Sequence, residues 1–332
     1  MNQPGKRNNN VDILKLVCAV FVMIIHIGAP FARYYEPVIR CGVPCFFIIS
    51  GYFLYVQTGF VEKLRTSICR IFSVLLWSTF VFFLYSLFLS LKTGDFSAFL
   101  FPPDRVMRII LFNDSVFGFH LWYLLAYLYV LVIFYFLAKY RIRLSFLFIL
   151  VSFLLAGSCV FGKYSVWVVG HELPCYLTRN FLFAGIPYFS IGVWLKKNSG
   201  WLQQNASARL FIFWGMMLFL ILSVLEKWIL CQTGMVDIQG DYYVCTPFLS
   251  AFLFLYFVCR KPISDNVLAR TGRQDSLYLY IYHPVFTLLN VWVAQYVIPQ
   301  SVAAVYNSLS LLFVFVYTLI FTQVCRRLHL LK

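Results

Sequence analysis

Apolar positions in this chain gather into long runs separated by short polar connections. Ten such runs lie near 11–32, 38–57, 68–91, 119–138, 144–161, 181–195, 207–225, 243–259, 276–297 and 303–325. About 20 mostly apolar residues suffice for a helix to cross the hydrocarbon core of a bilayer. The pattern therefore predicts an all-α, polytopic integral membrane helix bundle of about ten transmembrane helices. The sixth run is short and follows a stretch containing Pro, Arg and Asn. Residues 101–118 read instead as an amphipathic segment that lies on the membrane or dips into it. No repeat or low-complexity linker interrupts the series, so one membrane domain is expected over 1–332, opening with a polar cytoplasmic N-terminus at 1–10.

Composition explains why lipid has to be the solvent. Hydrophobic residues make up 62% of the chain and charged residues 12%, where a soluble chain sits nearer one half and one quarter. A single soluble core stops growing at about this size, so it could not hold the excess. The N-terminal segment is not followed by a small-residue cleavage site, and the first run is expected to stay as a helix. The formal charge is +15, with 27 Lys and Arg against 12 Asp and Glu. The basic residues fall in short clusters between runs, without the basic stripe or reading module of a nucleic-acid binder, so no nucleic-acid partner is expected. With the N-terminus placed inside, only Arg33, Arg40, Lys92, Arg105, Arg108, Lys163, Arg179 and Lys227 fall outside. The other nineteen fall in the N-terminus, the even-numbered connections and the C-terminus. That asymmetry predicts a multi-pass protein of the cell (inner or plasma) membrane, with both termini cytoplasmic and an even number of spans. The ten cysteines show neither a CxxC pair nor a Cys/His ligand spacing, and no metal is expected. Cys175, Cys231 and Cys245 fall toward the oxidising side, which leaves room for a disulfide among them.

Ionisable residues inside apolar runs are the candidate chemistry. Lys15 and His26 are eleven residues apart, which returns them to within about 20° of one helix face, about 16 Å apart along the axis. Asp12 shares that stripe one turn before Lys15, close enough for a local ion pair. Lys15 falls near the cytoplasmic mouth and His26 deep, toward the outer half. Groups at such depth are costly and usually face a polar cavity. The alternatives are a snorkelling lysine and a histidine that only bonds a neighbouring helix. In the second run Ser50–Gly51 is either a close-packing point or a place where a ligand meets backbone. Lys63, Arg65 and Arg70 follow it, and are either topology signals or arginines placed for a phosphate-bearing ligand. His120 and Trp122 stand at the outer end of the fourth run, where Trp122 also suits an interfacial aromatic belt. Arg179 and Asn180 begin the sixth run, with Arg179 either an interface anchor or a stabiliser of sugar or negative charge. Ser276, Tyr280, Tyr282 and His283 lie in one helix, and Pro284 frees a backbone carbonyl there.

Taken in order, these segments resemble the acyltransferase-3 family of membrane-bound O-acyltransferases. A basic residue followed by ten positions and a His corresponds to Lys15 and His26. FFIISGY at 46–52 resembles the family's Phe-Phe-x-x-Ser-Gly element. His120-Leu121-Trp122-Tyr123-Leu124 resembles its His-x-Trp element, and Ser276 through His283 its late Ser-x-x-x-Tyr-x-x-His element. The stretch 178–197 resembles the branch that includes the enterobacterial common antigen O-acetyltransferase. One departure concerns the paired arginines after the second helix: Arg70 fits the second position, while Ser67 occupies the first.

The resemblance implies acyl-CoA, with acetyl as the acyl group, as a co-substrate used from the cytoplasmic face, and no permanently bound cofactor. It implies a hydroxyl of a cell-surface or lipid-linked glycan as acceptor on the outer side, with membrane lipid and glycan-assembly proteins as partners. His26 would be the general base or the nucleophile, with Lys15 as its catalytic companion. Arg65, Arg70 and Ser50 would hold the donor. His120, Trp122, Arg179, Tyr282 and His283 would serve the acceptor or the oxyanion. A proton-coupled transporter or lipid-linked-sugar flippase is the alternative, since intramembrane Lys and His suit a carrier too. Carriers usually show paired broken helices in corresponding halves, and this sequence shows no such symmetry.

Overall fold

The structure, a computed structural model, describes residues 7–28, 32–142, 146–200, 206–233 and 241–328. Positions 29–31 of the first run and 144–145 of the fifth lie outside the described residues, as do Lys6, Arg143 and Lys332 of the charge count. Among the described residues every regular element is helical. In chain order the α-helices are α1 (Asn9–Ile27), α2 (Ala32–Ile39), α3 (Gly42–Leu54), α4 (Phe60–Thr93), α5 (Pro103–Phe112), α6 (Trp122–Lys139), α7 (Phe146–Val160), α8 (Ser165–Val169), α9 (Ile186–Lys197), α10 (Ala206–Gln232), α11 (Thr246–Cys259), α12 (Val267–Gln274), α13 (Ser276–Tyr296), α14 (Gln300–Ser308) and α15 (Ser310–Arg327). A 3₁₀ turn at Phe119–Leu121 precedes α6, and a π-helical turn at Phe181–Gly185 runs into α9.

Seven described stretches are long and apolar enough to cross a bilayer: Asn9–Ile27, Tyr34–Leu54, Phe60–Thr93, Phe119–Lys139, Ser207–Gln232, Ser276–Tyr296 and Ser310–Arg327. Ile149–Val160 and Thr246–Cys259 are apolar but shorter. The sixth run is divided between the π-helical turn and α9. Two boundaries differ from the sequence expectation for local reasons. The first helix stops at Ile27, because Gly28 takes a left-handed conformation (φ 67°) and returns its N–H to the Ile24 carbonyl. The last run breaks at Leu309, so its start forms the separate helix α14. The amphipathic segment yields α5, with Pro103 in its first turn and Asn113 closing it at φ 50°. Val106, Met107, Ile110 and Leu111 of α5 are exposed, as a helix resting on apolar surroundings requires.

Two compact units build the chain. The first comprises 1–46, 201–226 and 248–332. Its hub is α1, which packs on α12, α13 and α15. The approach to α12 is tightest at Gly272, where an added Cβ would overlap the Asp12 carbonyl. In lipid there is little hydrophobic force between helices, so such small-residue contacts carry the packing. Elsewhere in this unit Phe219 of α10 stacks on Phe248 and Phe252 of α11, with centroids 4.8 and 5.5 Å apart.

The second unit comprises 47–200 and 227–247. Here α4 packs on α6, and the π-helical turn packs on α6, α7 and α9. The end of α3 crosses α9 by a reciprocal contact: a Cβ at Gly51 would overlap the Phe189 carbonyl, and one at Gly192 the Ile48 carbonyl. Close packing therefore accounts for Gly51. At 34 residues, α4 spans roughly 51 Å by the helical rise of 1.5 Å, well beyond the ~30 Å hydrocarbon core. Phe72, Leu76, Phe80, Leu84 and Phe88 form an exposed apolar stripe along it. Lys63 and Arg65 sit in its opening turns.

Candidate functional site

Polar side chains of the first unit stand at both ends of α1. At its start, the Asn8 side chain accepts from the Asn10 and Val11 amides and caps the helix. Asp12 follows in the first turn and is buried. Its carboxylate accepts from Lys15 Nζ at 2.8 Å and from Arg7 Nε at 2.8 Å. The Asp12–Lys15 pair expected from spacing is thus present, and Arg7 joins it. Two cations around one carboxylate leave this end of the helix net positive.

At the other end His26 occupies the last turn, two residues before the glycine cap. Its ring stacks on His283 of α13, with centroids 5.2 Å apart and planes 24° apart. His283 is fully buried. Proline at 284 has no N–H, so the Tyr280 carbonyl loses the helical donor that residue 284 would have supplied. His283 Nδ1 takes that place and donates to the Tyr280 carbonyl at 2.8 Å. The proton is thereby fixed on Nδ1, and in the neutral ring the lone pair belongs to Nε2. Sequence and geometry meet here: the His-Pro step both frees the carbonyl and provides its donor.

Other residues of the late motif do structural work in the same unit. Tyr280 meets Phe46 and His283. The Tyr282 ring packs on Tyr278 and, edge-on at 5.2 Å, on Phe321 of α15. Asp275, just before α13, pairs with Arg326 at 3.1 Å. Burial pushes the Asp275 carboxyl above its ordinary value, and Arg326 offsets part of that rise.

In the second unit Ser50 is hydrogen-bonded to the Tyr127 hydroxyl, which also lies in the field of Arg70. Ser50 and Arg70, two candidates read independently from the sequence, are thus linked through a tyrosine of α6 that sequence reasoning missed. Arg65 and Arg70 are both exposed. His120 is buried in the 3₁₀ turn before α6, with its ring edge-on to Phe82 at 4.7 Å. Trp122 is buried at the start of α6, where its carbonyl accepts from Asn113 Nδ2 at 3.3 Å.

Arg179 is forked onto Asp241: Nε donates at 2.5 Å and Nη2 at 2.7 Å. The carboxylate holds the guanidinium above its usual value, and such a bidentate pair is strongly directional. Asn180 caps the π-helical turn by accepting from the Leu182 and Phe183 amides, and Asn113 accepts from the Phe181 amide at 2.7 Å. Asp241 and Asn113 were not anticipated. An acid heading one apolar run and an arginine heading another was the available signal for the first; Asn113 left none beyond its place at a helix end. No disulfide joins Cys175, Cys231 and Cys245.

A family model described as an acyltransferase domain matches residues 8–327, so the match takes in both units. Neither the curated proteins nor the solved structures compared with the chain include a match.

Proposed function

The chain belongs to the acyltransferase-3 family, and on that premise we propose that it moves an acyl group, acetyl in the first instance, from cytoplasmic acyl-CoA to a hydroxyl of a cell-surface or lipid-linked glycan. The reading places the chain in the inner or plasma membrane with both termini cytoplasmic, in keeping with the distribution of its basic residues.

The observation that carries this reading is the His26–His283 pair. Acyl transfer to an alcohol needs a base at the attacking oxygen. His26 takes the hydroxyl proton as the oxygen bonds to the thioester carbonyl carbon. The C–S bond then breaks, and the departing thiolate receives the proton from the imidazolium. His283, its proton held by the Tyr280 carbonyl, presents a ring of fixed orientation that supports His26 face-on. A nearly parallel stack does not align ring N–H and lone pair, so His283 acts by positioning the base and not by relaying its proton.

The net positive end of α1, with Lys15 held by Asp12, supports an anionic donor, as does Arg70 beside the Ser50–Tyr127 bond. Arg65 is a further exposed cation on α4. Arg179 with Asp241 offers a sugar a donor and an acceptor in one rigid unit, and His120 and Trp122 supply further acceptor contacts. Tyr282 packs on Tyr278 and on Phe321 of α15, which holds α13 in place.

The deciding experiment is labelled-acetyl transfer by the purified protein and its His26→Ala variant in membranes. Transfer by wild type and its loss in the variant is the expected result. Activity near wild type in His26→Ala would remove the histidine from the chemistry, and substrate flux without acyl transfer would establish a carrier instead.

A further inference from the structure

The first unit contains a cavity that the histidine pair does not use. It has a volume of about 440 Å³ and is lined by Arg209, Ile212, Tyr256, Cys259, Arg260, Lys261, Pro262 and Ile263. That is within the range of small-molecule sites. Three of the lining residues are cations and none is acidic.

Most other described basic residues of the unit have a carboxylate partner. Arg7 and Lys15 are paired with Asp12, Arg40 with Glu36, Arg270 and Arg273 with Asp265, and Arg326 with Asp275. Among the described residues no carboxylate pairs with Arg209, Arg260 or Lys261. Arg260 lies instead over the Tyr256 ring, 5.1 Å from its centroid. Unpaired like charges that share one concave site repel each other, and an anion relieves that repulsion.

The rim is also held in place. Asn8 Nδ2 donates to the Val258 carbonyl at 3.2 Å, Asn9 Nδ2 to the Ile263 carbonyl at 3.0 Å, and Asn10 Nδ2 to the Lys261 carbonyl at 3.0 Å. The run of three asparagines before Asp12 thus fixes the cavity loop to the start of α1. A loop pinned by its backbone carbonyls presents its cationic side chains at defined positions, which lowers the ordering cost of binding.

We propose that this cavity binds the phosphate-bearing nucleotide end of the acyl thioester donor, with Arg209, Arg260 and Lys261 on the phosphates and Tyr256, Ile212 and Ile263 against the base. The charge of the ligand follows from the unpaired cations; its identity as a donor rests on the acyl-CoA reading above. An aromatic and aliphatic wall beside three cations suits a base joined to phosphates better than a phosphate alone. An anionic lipid headgroup shares the phosphate chemistry, and the experiment separates the two.

The test uses the full chain in nanodiscs of neutral phosphatidylcholine, with coenzyme A as binding probe and acetyl-CoA and acetyl-pantetheine as donors. Arg209→Gln/Arg260→Gln/Lys261→Gln should weaken coenzyme A binding by about tenfold or more, the scale of lost charged hydrogen bonds. The same variant should raise KM for acetyl-CoA and leave transfer from acetyl-pantetheine, which lacks the nucleotide, at the wild-type rate. That retained activity also certifies the fold. Should the triple variant fail to accumulate, Arg260→Gln alone is read in the same way. Equal coenzyme A affinity in wild type and variant overturns the proposal. So does an effect that appears only in discs containing phosphatidylglycerol, which would assign the cavity to a lipid headgroup. A wild type that binds coenzyme A through these residues but transfers no acyl group would overturn the proposed function and leave this site standing.

Discussion

Two side-chain pairs invite comparison, one in each unit, and each has one buried and one half-buried member. In the second unit Arg179 is forked onto Asp241, with Nε and Nη2 each donating to one carboxylate oxygen. In the first unit His26 lies flat on His283, whose Nδ1 proton is held by the Tyr280 carbonyl. The first contact is an ion pair, the second a ring stack. Arg179 and His26 look alike in the sequence, as basic residues at the ends of apolar runs. The structure separates a residue held by a carboxylate from one held by the face of a second imidazole.

Breaking each pair tests that separation. The largest effect is expected from His26→Ala: acyl transfer should fall by about 10²–10⁴, the usual worth of a general base, while the amount of protein in the membrane stays unchanged. Asp241→Ala should act on stability as well. Leaving the half-buried arginine without its partner should lower the thermal midpoint of the purified protein. Arg179→Ala in the same chain should recover part of the loss, and a double variant no better than Asp241→Ala would show that the ion pair is not what stabilises this region. Lys15 tests a fixed charge at the opposite end of α1 from His26: Lys15→Ala should raise the KM for acyl-CoA and Lys15→Arg should largely preserve it. Equal loss in both would rule out a simple charge role.

The smallest expected effect sharpens the comparison most. Pro284→Ala restores an N–H that competes with His283 Nδ1 for the Tyr280 carbonyl, a hydrogen bond of about 1 kcal/mol. Transfer should drop several-fold through kcat with KM unchanged, and wild-type turnover in this variant would show that the tautomer lock has no part in positioning His26.

Much of this arrangement was legible in the sequence, for definite reasons. A helical period put Asp12 and Lys15 in contact, because i and i+3 neighbours meet on any helix. Apolar run length announced the helices, since length and hydropathy are what a bilayer selects. The His283-Pro284 step announced a freed carbonyl, a covalent property of proline. Contacts set by tertiary packing stayed hidden. Nothing local in the sequence couples Arg179 to Asp241, 62 residues away, or His26 to His283. Gly51 carried two meanings in the sequence, and only the crossing of α3 with α9 chose between them. The break at Leu309 and the cap at Gly28 are matters of a few backbone dihedrals that mean hydropathy does not register.

The overlong α4 has a mechanical consequence. A rod that overshoots the hydrocarbon slab at its ends has no unique depth, because the helix is longer than the thickness it must match. Thinner and thicker bilayers can be accommodated by a change of tilt at a cost of fractions of a kcal/mol per ångström. Lys63 and Arg65, riding near one end of that rod, would then rise or sink with the membrane. Bilayer thickness becomes a variable that sets how far this basic end projects, much as the draught of a hull sets the height of its rail.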